Sequence, residues 1–311
     1  MSNKRNIIKI VGKGLSILSI AFIGYSVWKM GLDFTFVTDK PLFVFIMVVG
    51  VIIKVLSLWT SGSAWVTWLN FFSKTKFEFK EARNVFVRAN IGKYLPGNVM
   101  HFVQRNLFAA ELGISQGQLA LATVFEVMSY VLVALFISVT TARKGMQAVL
   151  LKFLGNRVSG VIVVFVMVIA VAVIIVFLLK EKFKTVLKGY SLSGLAKTVV
   201  IVVILQFFTL MMLGLVMAIL ICYAVGFDAK TVGVVISTYV VAWVLGFVVP
   251  GASGGMGIRE MTLLLLLGPI MGNELVLPLS LVHRLITIIG DFIGYLITEL
   301  PRKLKGVADN A

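Results

Sequence analysis

The sequence contains few of the residues that build disulfides, metal centres and soluble surfaces. Its 311 residues include 1 cysteine and 2 histidines, and 14% of them are charged, against roughly 25% in soluble domains. The single cysteine, Cys222, excludes an internal disulfide framework and a cysteine-based metal site, and two histidines alone do not form a metal centre. No Gly-rich phosphate loop, HExxH motif or Ser/His/Asp pattern is present. The sequence therefore gives no positive evidence for an enzyme and predicts no cofactor.

Hydrophobic residues instead make up 59% of the chain. Apolar runs of about 18 residues or more, the length that a membrane helix needs, recur along it. The sequence predicts an all-α polytopic membrane protein with about six to eight transmembrane helices, forming a single integral membrane domain over residues 1–311. The apolar segments are residues 12–30, 41–72, 118–140, 158–180, 198–222, 231–249 and 276–299.

Lysine and arginine outnumber aspartate and glutamate by 29 to 13, which gives a formal net charge of +16. Most of the basic residues fall in a few segments between spans, as the positive-inside rule expects for the cytoplasmic side. This excess is interpreted as a topological signal and not as a nucleic-acid interface, and it can also attract anionic lipid. Basic residues before the first span and after the last one predict cytoplasmic termini, with the first span as an uncleaved anchor.

Two Pro-Gly dipeptides, the only two in the chain, interrupt the apolar sequence. In YLPGNVMHFVQR, Arg105 follows Pro96 by nine residues, and in VVPGASGGMGIR, Arg259 follows Pro250 by the same nine. Aligned on these prolines, each half contains a long span, a helix that ends at Pro-Gly, a short helix with the arginine, and a closing span. A pair of ordinary proline kinks is the alternative interpretation.

The two halves are residues 41–140 and 196–299, and their predicted orientations in the membrane are opposite. The span before the first break runs from outside to inside, and its counterpart before the second break runs from inside to outside. This arrangement is the inverted repeat of secondary transporters. Charge alone leaves open whether each broken helix pair is re-entrant or spans the membrane fully.

Each break predicts a binding site for an anion. Interrupted backbone at membrane depth survives only beside protein or water, and a helix that restarts there presents free N–H groups and the positive end of its dipole. Arg105 and Arg259 lie about two turns into the restarted helices, where a guanidinium needs a partner such as phosphate. The prolines and the residues that let a ligand approach complete this part of the site, namely Pro96, Gly97, Asn98, Pro250, Gly251, Gly254, Gly255 and Gly257.

Other charged or titratable residues in apolar surroundings extend the candidate site. They are Glu126, Glu260, His283 and Arg284. Asp291 lies seven residues after Arg284, on the same predicted helix face. The alternative for each charged residue is an internal ion pair that holds spans together. Lys54 is interpreted as a lysine that reaches the membrane surface, and Trp59, Trp65 and Trp68 as interfacial aromatic residues.

The stretches NIGKYLPGNVMHFVQR, VVPGASGGMGIRE and LVHRLITIIGDFIGYLI resemble the lysylphosphatidylglycerol synthase transmembrane-region family, and the similarity extends over about residues 10–300. The family often has Glu-Arg in the span after the first motif, whereas Val127 follows Glu126 here. The resemblance implies a flippase-like domain in the plasma membrane of a bacterium or archaeon. Two-part relatives carry a soluble aminoacyl-transferase domain that this sequence lacks, so the resemblance does not imply a lysyltransferase.

These observations together lead us to expect a lipid translocase. Its site would bind the anionic headgroup of a phospholipid, an aminoacyl-phospholipid or a polyprenyl-linked glycolipid, and it would have membrane lipids as partners. The alternative is a non-transporting accessory subunit of a glycosyltransferase or lipid-modifying enzyme. A third reading, an intramembrane transferase, needs a catalytic base, for which Glu126, Glu260 and His283 are the candidates.

Overall fold

The structure, a computed structural model, describes residues 37, 39–73, 76–95, 99–141, 189–248 and 253–308. Within these residues the chain forms eight α-helices and two short 3-10 helices, with no strand. The α-helices are α1 Lys40–Phe72, α2 Phe79–Ala89, α3 Met100–Glu111, α4 Gln116–Thr141, α5 Leu192–Val225, α6 Ala229–Val248, α7 Ile258–Met271 and α8 Asn273–Ala308. The 3-10 helices are Asn90–Tyr94 and Ser253–Gly255.

Five of the helices in the described part of the chain are long and apolar enough to cross a membrane. They are α1, α4, α5, α6 and α8, and they coincide with the predicted segments 41–72, 118–140, 198–222, 231–249 and 276–299. This confirms the predicted all-α, multi-pass membrane fold. The predicted spans 12–30 and 158–180 lie outside the described residues. Helices α2, α3 and α7 have 11, 12 and 14 residues, fewer than the ~20 that a crossing needs.

The order of elements is the same in α1–α4 and in α5–α8. Each set begins with a long helix, of 33 residues in α1 and 34 in α5. A helix that ends at the Pro-Gly segment follows, and then a short helix and a closing helix. The orientation of the two sets relative to a bilayer stays a prediction.

The starts of the long helices are set by local sequence. Pro41 occupies the first turn of α1, and the Asp39 side chain accepts a hydrogen bond of 3.0 Å from the Leu42 backbone N–H. In α5, the Ser191 hydroxyl accepts from the backbone N–H of Gly194. Such N-caps satisfy donors that the first helical turn leaves without an intrahelical partner.

Two apolar clusters hold the helices together. One joins the second part of α1 to α2, α3, the start of α4 and Val202 of α5, and the other joins the first part of α1 to α4–α8. Trp65 and Trp68 belong to the first cluster and are 0% and 2% exposed, and the Trp68 ring stacks on Phe72 at 5.8 Å. The interpretation of these two tryptophans as interfacial residues is therefore wrong, because neighbouring helices cover their rings.

Candidate functional site

The chain segments beside the two predicted breaks meet in the middle of the molecule. The 3-10 helix Asn90–Tyr94 contacts the 3-10 helix Ser253–Gly255. Gly254 has a φ of +54°, and a Cβ atom there would lie 3.4 Å from the Tyr94 ring and 3.3 Å from the Arg284 guanidinium. A glycine at this position therefore allows both the left-handed backbone and the close approach of the two halves.

Five predicted site residues at the breaks themselves, namely Pro96, Gly97, Asn98, Pro250 and Gly251, lie outside the described residues. Gly255 and Gly257 lie just after the second break, with φ angles of +76° and +81°. A Cβ atom on Gly255 would come within 2.7 Å of the Gly246 carbonyl oxygen. These two glycines shape the start of α7 and do not line the pocket described next.

A pocket with an empty volume of about 730 Å³, counted to its open mouth, lies where the two halves meet. Four of the predicted site residues with charged side chains line it, and so does Gly254. The charged side chains in its wall come from α1, α3, α4, α7, α8 and the first 3-10 helix, and they are Lys54, Lys93, Arg105, Glu126, Arg259 and Arg284.

Arg105, on α3, is neutralised within the first half. Its Nη1 lies 2.5 Å from Glu126 Oε2, and both side chains are buried. The guanidinium carbon also lies 4.3 Å from the centre of the Phe86 ring and 5.1 Å from that of Trp65. An ion pair within an aromatic cage is held in a single geometry, because each neighbour restricts the planar guanidinium.

Asp291, on α8, is the centre of a buried polar cluster that crosses between the halves. Its carboxylate lies 2.8 Å from Lys54 Nζ and 2.6 Å from Lys93 Nζ. It also accepts hydrogen bonds of 2.8 Å from Asn90 and 2.7 Å from the Tyr94 hydroxyl. The interpretation of Lys54 as a lysine that reaches the membrane surface is wrong, since an internal carboxylate binds its ammonium group.

Arg259 is the second residue of α7, so the prediction that it lies about two turns into the restarted helix is wrong, because the 3-10 helix Ser253–Gly255 takes up the residues after the break. It lies in a different environment from Arg105. Its guanidinium carbon lies 5.8 Å from the centre of the Trp243 ring, and its side chain passes over Gly246, where a Cβ atom would clash at 2.6 Å. No carboxylate in the described ranges is within the 4.0 Å of an ion pair with Arg259, and its buried Nε has no hydrogen-bond partner there. Burial lowers the pKa of Arg259, and the nearby positive charge of Arg284 lowers it further.

Two further donors in the pocket wall come from the second half. Arg284 Nη1 lies 3.9 Å from Glu260 Oε1, which is a long ion pair. The Tyr239 hydroxyl, on a residue 2% exposed, has no hydrogen-bond partner among the described residues. A buried donor without a partner carries a desolvation cost, which a bound acceptor would remove.

Glu260 and His283 support the pocket from behind and do not line it. Glu260 Oε2 accepts a hydrogen bond of 2.7 Å from the Gly257 backbone N–H and so caps α7. His283 Nε2 lies 3.1 Å from the Leu213 carbonyl oxygen, and its ring packs on Tyr239 at 4.5 Å. Glu126 is paired with Arg105. Each of the three candidate catalytic bases, Glu126, Glu260 and His283, therefore has a contact with another group of the protein.

The other histidine of the chain, His101, lines the pocket. Burial lowers the pKa of His101 well below its ordinary value, and the charges of Arg105 and Lys93 lower it further. The lowered pKa favours the neutral form of its ring. In the described part of the chain, no group of three or more His, Cys, Asp or Glu side chains is arranged to hold a metal ion.

The charges in and directly behind the pocket wall do not balance. Five basic side chains face three carboxylates, counted over the described residues, which gives a formal excess of two positive charges. Burial lowers the pKa of Lys93 to about 7, so the full excess is present at and below neutral pH. The basic residues are Lys54, Lys93, Arg105, Arg259 and Arg284, and the acidic ones are Glu126, Glu260 and Asp291.

The site predicted from the sequence does not include Lys93, Tyr94 or Tyr239. Lys93 and Tyr94 precede Pro96 by three and two residues, whereas the predicted site contains only residues at and after each break. Extending it one turn toward the N-terminus of each break would have found both. Nothing in the local sequence around Tyr239 distinguishes it from other apolar-span tyrosines.

Comparison of the chain with protein-family models, curated proteins and solved structures finds no match. The resemblance carried by the two Pro-Gly motifs therefore stays a prediction, and the fold and pocket geometry provide the evidence for function.

Proposed function

We propose that the protein is a lipid translocase, which binds the anionic headgroup of a membrane lipid in the central pocket. One observation carries the proposal: five basic side chains from both halves converge on one pocket and exceed the nearby carboxylates by two. Positive charge without a nearby negative partner is unfavourable inside a membrane protein. A negatively charged ligand neutralises it, and this contributes favourably to the free energy of binding.

The molecule around the pocket suits a ligand with acyl chains. The pocket lies between helices that cross a bilayer by length and composition. Large apolar side chains on their outer faces are exposed, including Phe45 of α1, Phe136 of α4 and Phe208 of α5. A headgroup held in the pocket would leave its acyl chains beside such faces, in lipid. The Pro-Gly motifs and their resemblance to a flippase-like domain support the same function.

Movement would take place where the two halves meet. The short segments Asn90–Tyr94 and Ser253–Gly255 contact each other beside the pocket, and each adjoins a helix break. In transporters with two repeats, one repeat rocks against the other around a site of this kind. A rocking motion at this contact would expose the bound headgroup to each side of the membrane in turn.

Reconstitution into liposomes tests the proposal. The full chain is placed in vesicles with trace fluorescent phosphatidylglycerol or phosphatidic acid, and dithionite quenching reports the rate of lipid exchange between leaflets. We expect faster exchange of at least one of these anionic lipids with the wild type than with protein-free vesicles, and a loss of this gain in Arg259→Gln.

Lys230→Gln provides a matched control, because it removes the same charge from an exposed position at the start of α6. Exchange in this control should match the wild type. Exchange of both anionic lipids at the protein-free rate would contradict the proposal, and copurification of a stoichiometric membrane enzyme would then favour the accessory-subunit alternative.

A further inference from the structure

The carboxylates around the pocket are all engaged by other groups of the protein. Glu126 pairs with Arg105, and Asp291 receives four donors. Glu260 caps the backbone N–H of Gly257 and lies 3.9 Å from Arg284. Within the described residues, the pocket therefore offers a ligand no free carboxylate, and it has no counter-charge for an ammonium group.

Aromatic rings are the other partners that a cationic headgroup uses in proteins. Trp243 lines the pocket, but the guanidinium of Arg259 already lies over its ring at 5.8 Å. Phe86 and Phe102 are in the same way covered by Arg105, at 4.3 and 5.5 Å. An ammonium group brought to these three rings would be close to a guanidinium of like charge, which repels it. The other aromatic residues of the wall are Tyr94, Tyr130, Tyr239 and Phe247, and an ammonium group beside them would enter the same formal excess of positive charge.

We infer that the pocket selects a phosphate monoester headgroup, which carries two negative charges, over phosphodiester and aminoacylated headgroups. The inference rests on the proposed function and names the class of lipid that the site takes. A phosphate monoester has a charge of about −1.5 to −2 at pH 7, which matches the excess of two positive charges in the wall. A phosphodiester such as phosphatidylglycerol has one negative charge, and an aminoacylated one adds a cation that the wall opposes.

The arrangement of donors agrees with this selection. Arg259 Nε and the Tyr239 hydroxyl are buried without hydrogen-bond partners in the described chain, and both residues line the pocket on its second-half side. The terminal group of a monoester has three oxygens free to accept, whereas a diester has two. The additional oxygen gives Tyr239 a partner while Arg259 binds the other oxygens through its planar fork.

Binding to the full-length purified protein in detergent tests the inference. Isothermal titration at pH 7 compares the short-chain probes dihexanoyl phosphatidic acid and dihexanoyl phosphatidylglycerol, a short-chain lysyl-phosphatidylglycerol and inorganic phosphate. We expect phosphatidic acid to bind about tenfold tighter than phosphatidylglycerol, because one further charge-assisted contact corresponds to such a ratio. Lysyl-phosphatidylglycerol should bind most weakly of the three lipids, and inorganic phosphate should compete weakly.

Variants connect the preference to the proposed donors. Tyr239→Phe should reduce the ratio of phosphatidic acid to phosphatidylglycerol affinity, and Arg259→Gln should reduce both affinities, while the exposed-site control Lys230→Gln changes neither. Thermal melting of each variant shows whether it is folded. If Arg259→Gln is unfolded, Arg259→Lys keeps the charge without the planar fork and should reduce the affinity for both lipids.

The outcomes separate the inference from the proposed function. Equal affinity for phosphatidic acid and phosphatidylglycerol, or tightest binding of lysyl-phosphatidylglycerol, overturns the inference and leaves headgroup binding in place. If inorganic phosphate binds as tightly as phosphatidic acid, the ligand is free phosphate and not a lipid, and the proposed function is also overturned. Absence of binding by all four probes overturns both.

Discussion

The two halves of the molecule place the same motif in two different environments. Arg105 and Arg259 each follow a Pro-Gly by nine residues, yet Arg105 is neutralised by Glu126 at 2.5 Å and Arg259 pairs with no carboxylate of the described chain. The first arginine therefore contributes to the structure of its half. The second has no such partner in the described chain, so the same sequence motif is paired internally in one half and not in the other. Under the proposed function, Arg259 is the arginine that binds the ligand.

Of the changes that test this comparison, the largest expected effect is a loss of folding stability when the arginine of the first half is replaced. Arg105→Met removes one partner of a buried ion pair and leaves Glu126 charged and unpaired, which costs roughly 3–5 kcal/mol of folding stability. Thermal unfolding in detergent measures it. The double variant Arg105→Met/Glu126→Leu should recover most of the loss, because a well-packed apolar pair replaces the ion pair at little cost. Equal instability of the single and double variants would show that the pair is not the reason.

The corresponding change in the second half should act on binding and not on stability. Arg259→Gln removes a positive charge that has no negative partner in the described structure and lies near Arg284. We expect lipid exchange in liposomes to fall about tenfold or more, as for loss of a charge-assisted contact, while the melting temperature stays the same or rises. A large loss of melting temperature together with full exchange activity would reverse the assignment of the two arginines.

The meeting point of the halves should give a smaller effect. Gly254→Ala forces a Cβ atom onto a residue with φ of +54°, at 3.3 Å from Arg284 and 3.4 Å from Tyr94. The left-handed backbone alone costs about 1–2 kcal/mol for a non-glycine residue. Gly117→Ala is the control, since a Cβ atom there meets no atom within 4 Å and this helical glycine has no positive φ. Melting temperatures that do not differ would show that the contact at Gly254 adjusts freely.

The sequence predicted the spans well because each one is a local property of its own residues. The same holds for Arg105, Glu126, Arg259 and Arg284, whose charges stand out in apolar surroundings and which do line one pocket. The cluster around Asp291 could not be predicted in this way. Its partner Tyr94 is 197 residues away along the chain, and only the packing of the first 3-10 helix on α8 brings the two together.

Lys93 illustrates the same limit. It belongs to a basic stretch that the positive-inside rule explains fully, and so its sequence context indicates a loop lysine. In the structure its ammonium group lies 2.6 Å from Asp291. A lysine that sets the membrane topology and a lysine that belongs to a site look the same in the sequence. They differ only in whether the fold brings a carboxylate from a distant helix close to the ammonium group.

The smallest expected effect gives the most direct test of the second-half site, because the substitution removes a single oxygen atom. Tyr239→Phe deletes a hydroxyl that has no partner in the described chain and leaves the ring packed on His283 at 4.5 Å. Folding stability should be unchanged or slightly higher, since a buried unsatisfied donor is removed. Affinity for phosphatidic acid should fall about three- to tenfold, the value of one neutral hydrogen bond. Tyr190→Phe is the control, because its hydroxyl instead donates to the Phe72 carbonyl oxygen at 3.1 Å and it does not line the pocket. It should show the opposite pattern, with lower stability and unchanged affinity. If the two variants behave alike, the Tyr239 hydroxyl does not contact the ligand.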